Sequence, residues 1–212
     1  MTRNGNTQLS QAADNQNSKQ LGLVVSGSLT EGIEVRLDES TSIEDIKVGT
    51  FVNIQGQRMR FFGVVTDIAL NAMDQTIHTS PPDISNTFVA NVISGTAAFG
   101  TITVEPMLTI GGVGNIQGID GPQPAKTVPP HFSIVGTATD DDIRTVFGED
   151  DENHFYIGNP LDMETRLCLN IDELIKRSNG VFGKSGTGKT FLTRLLLLGI
   201  LQHGSASNLV FD

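Results

Sequence analysis

A chain of 212 residues is long enough for one large domain, or for a small domain followed by part of another, and the second organisation is the one carried forward. Hydrophobic residues make up 38% and charged residues 18%, enough apolar matter for a buried core, which excludes disorder throughout. Acidic residues outnumber basic ones by 24 to 14, a formal net charge of −10, so the surface as a whole repels nucleic acid and anionic membranes, and any DNA contact has to be local or supplied by other sequence.

The single cysteine, Cys168, rules out an internal disulfide and a thiolate metal cluster within one chain, which fits a reducing compartment. Residues 1–20 are polar and lack the charged-then-apolar pattern of a signal peptide. The longest apolar run, Leu195 to Leu201, falls far short of the ~20 residues that span a bilayer, so the expected setting is cytoplasmic, with no membrane partner.

Taken in chain order, residues 1–20 are rich in Asn, Gln and Ser and offer little to bury, so they read as a disordered arm. Short strands follow. Ile33, Val35 and Leu37 alternate with Glu34, Arg36 and Asp38; Val52 and Ile54 repeat the alternation; Met59 to Ile68, Thr87 to Ile93 and Thr101 to Ile110 complete the series. Pro106 cannot donate to a ladder, so it marks an edge or a bulge. Five or more strands with little helix between them predict a β-barrel domain over 21–137, because closure removes the exposed edges of so small a sheet. Residues 111–130 are rich in Gly and Pro and read as loop.

A helix and connector are expected over 138–165. Thr139 with Asp142 three residues on resembles a capping box, so Asp140 to Phe147 is predicted helical and closed by Gly148. Asp140, Asp141 and Asp142 read as a solvated, dipole-compensating first turn in preference to metal ligands. A truncated α/β domain is placed at 166–212, with a strand over Arg166 to Ile171 and a helical turn over Asp172 to Arg177.

The residues that carry chemistry are Gly183, Lys184, Ser185, Gly186, Thr187, Gly188, Lys189 and Thr190, which satisfy the phosphate-loop pattern G-x-x-x-x-G-K-[ST] in full. Several backbone N–H groups must converge on one polyphosphate, and the three glycines free the loop from Cβ crowding so that they can. Lys189 is the candidate catalytic residue, a mobile point charge for the β- and γ-phosphates, and the Thr190 hydroxyl is the candidate Mg2+ ligand. With Phe191, which continues the run, these residues form the candidate nucleotide-binding set, for ATP or GTP. The context fits: Asn179 to Phe182 reads as a short buried strand, and Phe191 to Gln202 as a helix apolar on nearly every face, so packed on a sheet and covered. Asn208 to Phe211 reads as the next parallel strand, completing a βαβ unit. Asp212 ends that strand, where it either reaches the site or is a plain strand-terminal Asp. His78, His131, His154 and His203 lack metal-ligand spacing and read as surface or packing residues, and Ser185 has no evident base.

The segment Ile157 to Asp162, the run Arg177 to Leu192 with its glycine-rich loop, and Asn208 to Asp212 together resemble the HerA-type hexameric DNA translocases of the FtsK/HerA group, and the β-rich part before them resembles that family's HAS barrel. The resemblance implies a RecA-like ATPase core using ATP and Mg2+, a homo-hexameric ring around double-stranded DNA, and a NurA-type nuclease partner in DNA end processing or repair. It also implies an acidic strand, an arginine finger and DNA-gripping loops that these 212 residues lack, so the chain is read as an N-terminal portion that hydrolyses ATP poorly alone. The reading from another class is a nucleotide-gated scaffold, in which the barrel engages a protein and the loop only switches states. A small-molecule kinase is disfavoured, because such enzymes usually begin with their phosphate loop.

Overall fold

The period-2 alternation of apolar and polar residues lets each strand bury one face, and in the computed structural model, which describes residues 18–72, 98–111, 121–204 and 206–209, the strands close on themselves to do so. The chain divides into two compact units, residues 1–139 and 140–212.

In the first unit, β1 (Gln20–Ser28), β2 (Gly32–Leu37), β3 (Phe51–Gln55), β4 (Arg60–Ala72), β5 (Ala98–Ile110), a two-residue β6 (Gln123–Pro124) and β7 (Ile134–Thr137) form one antiparallel sheet. Its order is β2-β1-β7-β3-β4-β5-β6, and the additional β2–β5 pairing closes the first six into a barrel, with β6 added to the outer end of β5. The core consists of the inward residues of every ring strand, among them Leu21 and Val24, Ile33 and Val35, Val52 and Ile54, Phe61 and Val65, Ile102 and Val104, and Val135. Ile46 closes over them from the connection between β2 and β3.

Two bulges shape the β4–β5 pair. Phe62 pairs with Leu108 but Gly63 with Pro106, which leaves Met107 as the extra residue beside the proline, the disruption that its missing N–H predicts. Val65 pairs with Val104 but Asp67 with Thr103, so Thr66 is extra and the inward parity of β4 changes. Phe61 and Val65 therefore point inward before the bulge, and Ile68 packs on the same core after it. The expected strand at Thr87 to Ile93, residues 1–17 of the expected arm and His78 lie outside the described residues. The last residues assigned to the arm are held: Ser18 Oγ donates to the Thr137 carbonyl at 2.7 Å, the Lys19 N–H to Thr137 Oγ1 at 3.0 Å, and Gln20 opens β1.

In the second unit, α1 (Asp140–Phe147) ends at Gly148, whose φ of 81° is the left-handed cap and whose N–H reaches the Arg144 carbonyl at 2.8 Å. Asp140 and Asp141 are exposed as expected, but Asp142 is only 1% exposed, because it lies with Ile143 on the buried side of α1. β8 (His154–Gly158) and β9 (Leu167–Asn170) form an antiparallel pair. α2 (Ile171–Ile175) starts at Asn170, whose Oδ1 accepts the Glu173 N–H at 2.9 Å, and α3 (Lys189–His203) follows the glycine-rich loop. Both β9 boundaries lie one residue inside those read in the sequence, and α2 starts one residue earlier and ends two residues earlier than read.

Three expectations fail in this unit. Asn179 to Phe182 forms no strand, and Phe182 is 92% exposed. Asn208 and Leu209 form none either, Leu209 being 79% exposed, and Val210 to Asp212 lie outside the described residues. α3 is not covered on nearly every face: only Gly199 is buried, and Phe191, Leu198 and Leu201 face outward. One cause explains all three. A strand needs a hydrogen-bonded neighbour and an apolar helix needs a sheet to cover it, and no described strand pairs with either segment.

Candidate functional site

Residues 183–188 lead directly into α3, and each special position in the loop has a local cause. Gly186 and Gly188 take φ values of 79° and 88°, conformations that cost an L-residue about 1 kcal/mol or more, and a Cβ at either would meet nothing within 4 Å. Gly188 is the N-cap of α3 and its carbonyl accepts the Leu192 N–H at 3.0 Å. Gly183 is required for space: a Cβ there would come within 2.8 Å of Thr187 Oγ1 and 3.6 Å of the Lys189 side chain.

The Lys184 carbonyl is the loop's internal anchor. It accepts the Thr187 N–H at 3.4 Å, the Thr187 hydroxyl at 2.7 Å, and the Lys189 ammonium. Lys189 is the first residue of α3 and half-buried, whereas Lys184, Ser185, Thr187 and Thr190 are exposed, as is Phe191 one position on. The 15-residue helix presents its first-turn N–H groups, which have no intrahelical acceptor, at the end where the dipole is positive. A cation, free amides and left-handed glycines thus stand together at an exposed helix start, an arrangement suited to an anion with several oxygens. Asp212 lies outside the described residues.

The other end of α3 is fixed by packing and charge. Gly199 sits where a Cβ would meet the Phe155 ring at 2.8 Å and Ile171 Cδ1 at 3.2 Å, which presses the helix onto β8 and α2. His203 Nε2 lies 3.4 Å from Asp172 Oδ1.

Sequence reading did not find the polar cluster beside β8. Asp151 Oδ1 accepts from the Asn153 N–H at 2.8 Å and from His154 Nδ1 at 2.8 Å, and these bonds, the histidine's first, hold the Asp151 carboxyl below its usual range. Arg166 pairs with Asp150 at 2.6 Å and lies 4.4 Å from the centroid of the Tyr156 ring. The only signal available was the i, i+3 spacing of Asp151 and His154. His154 and His203 thus act as packed, paired residues, and His131 donates from Nδ1 to the Val25 carbonyl at 3.0 Å. Among the described residues no group of three His, Cys, Asp or Glu side chains could hold a metal ion, and no helix is long and apolar enough to cross a membrane.

Cys168 is buried on β9, and burial first, then the negative charge of Asp150, pushes its thiol up. Since the thiolate is the reactive form, Cys168 is expected to resist an aromatic disulfide reagent at pH 8 in the folded protein and to react fully once the protein is unfolded in guanidinium. Rapid native labelling, followed by absorbance, contradicts that burial.

Comparison with known families agrees with this division of the chain. Residues 21–114 match the HAS barrel domain, and residues 155–212, which take in β8 from its second residue, β9, α2, the glycine-rich loop and α3, match the central domain of helicase HerA. No curated protein matches the chain significantly. A HAS barrel match followed by a HerA central-domain match is the order along the chain that the resemblance to HerA-type proteins implies.

Proposed function

We propose that this chain is the ATP-binding portion of an ATP-driven DNA translocase or helicase acting in DNA end processing or repair. The observation that carries the reading is the loop with left-handed Gly186 and Gly188 opening directly onto Lys189 and α3, inside the segment matched to the HerA central domain. In functional terms the barrel domain spans 21–137, a helix and connector 138–165, and the ATPase domain begins at 166. Residues Gly183 to Gly188 cradle the triphosphate through backbone N–H groups, Lys189 leaves the Lys184 carbonyl to meet the β- and γ-phosphates, and Thr190 and Phe191 continue the binding turn. The open space beside Gly186 and Gly188 suits close approach of phosphate oxygens. Thr190, exposed in the first turn of α3, is the residue suited to hold Mg2+, which when bound neutralises charge developing on the phosphates. Double-stranded DNA, a NurA-type nuclease and a homo-hexameric ring are the partners this family match supports. The acidic surface restricts DNA to local basic contacts.

The test is ATP turnover of the complete protein with and without duplex DNA, across a salt series. Stimulation that falls steeply with salt is expected, since phosphate contacts release counterions. Nucleotide binding with no DNA stimulation at any salt would instead favour the nucleotide-gated scaffold.

A further inference from the structure

We propose that the Thr187 hydroxyl is a positioning group that holds the phosphate loop open-mouthed once Lys189 has left it. The inference rests on the reading of this loop as a nucleotide site. Thr187 stands between two glycines in the left-handed region, so the backbone on either side has little steric preference of its own. What ties the turn is the Lys184 carbonyl, to which Thr187 contributes both its N–H, at a long 3.4 Å, and its hydroxyl, at 2.7 Å. Lys189 competes for the same carbonyl with its ammonium. When that ammonium moves to a phosphate, the carbonyl loses its charged donor, and the hydroxyl remains as its well-formed partner. Without the hydroxyl, Lys189 is the only side-chain donor to this carbonyl among the described residues, and extracting it for a ligand leaves the turn held by the long backbone bond alone.

Gly183 is part of the same device. A Cβ at 183 would stand 2.8 Å from Thr187 Oγ1, so any side chain there pushes the hydroxyl off its carbonyl. The pattern glycine and the variable Thr187 are thereby coupled through one contact, which gives the proposal a signature that general loss of stability lacks.

The experiment is titration calorimetry of the complete protein with ATP and with inorganic pyrophosphate, for wild type, Thr187→Val, Thr187→Ser, Gly183→Ala and the Thr187→Val/Gly183→Ala double variant, with melting temperatures alongside. Thr187→Val, which keeps the shape and removes the hydroxyl, is expected to bind both ligands about three- to tenfold more weakly, the worth of one hydrogen bond, with an unchanged melt. Thr187→Ser is expected to restore wild-type affinity. Gly183→Ala should weaken binding similarly, and the double variant should be no weaker than the worse single one, since both changes remove the same contact. Wild-type affinity in Thr187→Val, failure of Thr187→Ser to restore binding, or additive losses in the double variant each overturn the proposal. Absence of ATP and pyrophosphate binding in the wild type is a different result, which removes the nucleotide-site reading itself.

Discussion

Replacing Lys189 by alanine in the complete protein is expected to abolish measurable ATP turnover while leaving the melting temperature close to wild type. The side chain's described hydrogen bond is to the Lys184 carbonyl of its own loop, and that carbonyl keeps the Thr187 hydroxyl and N–H as partners, so the fold loses little. In the proposed function the lost charge is the one that meets the β- and γ-phosphates. A charge-assisted hydrogen bond is worth about 1.5–3 kcal/mol, so nucleotide binding should weaken roughly ten- to a hundredfold, and turnover should fall further because developing charge in the transition state loses the same cation. Thr190→Ala should lose activity in a Mg2+-dependent way, and Lys184→Ala, whose exposed side chain the pattern does not require, should be milder. Steady-state ATPase assays and nucleotide titrations on the three variants establish the order; wild-type turnover in Lys189→Ala removes the assigned role.

Ile54→Ala is expected to have the largest effect on stability. Ile54 is fully buried on β3, in the barrel core, and its backbone neighbours are β4 on one side, at Phe61, and β7 on the other, at Val135. A closed six-strand ring cannot collapse around the missing atoms without shifting a register, so both the transfer loss and the cavity count in full. The expected cost is about 2–5 kcal/mol, read as a lower denaturant midpoint with an unchanged slope. Nucleotide affinity should be unaffected, because the proposed nucleotide loop belongs to the other compact unit. A midpoint indistinguishable from wild type would mean that the core is not packed as described.

The contrast between the two units shows where sequence reading succeeds. Strand alternation such as Ile33-Glu34-Val35-Arg36-Leu37 is a local pattern with a local consequence, and the strands at 33–37, 52–54, 59–68 and 101–110 were legible from it. The same holds for α1, whose closing Gly148 takes the left-handed cap, and for the bulge at Pro106, which follows from a missing donor. Asn179 to Phe182, Asn208 to Phe211 and the apolar surround of α3 were read on the premise of a covering sheet. Burial of those residues depends on partners, which no local pattern specifies, and no described strand supplies them.

By itself the sequence determined that the first part is built of short strands with one apolar face, that residues 183–188 form a glycine-rich loop leading into a helix, and that the two lie in separate parts of the chain. Each of these depends on periodicity, on Gly and Pro backbone preferences, or on the spacing of a few residues, all local properties. Only the tertiary structure decided the closing β2–β5 pair, the inward turn of Asp142, the pairing of Asp151 with His154 and Asp150 with Arg166, and the convergence of Thr187 and Lys189 on the Lys184 carbonyl. Ring closure requires strands more than sixty residues apart to find one register, and shared hydrogen-bond acceptors arise only when the chain's path has set the distances, so neither is written in any short stretch of residues.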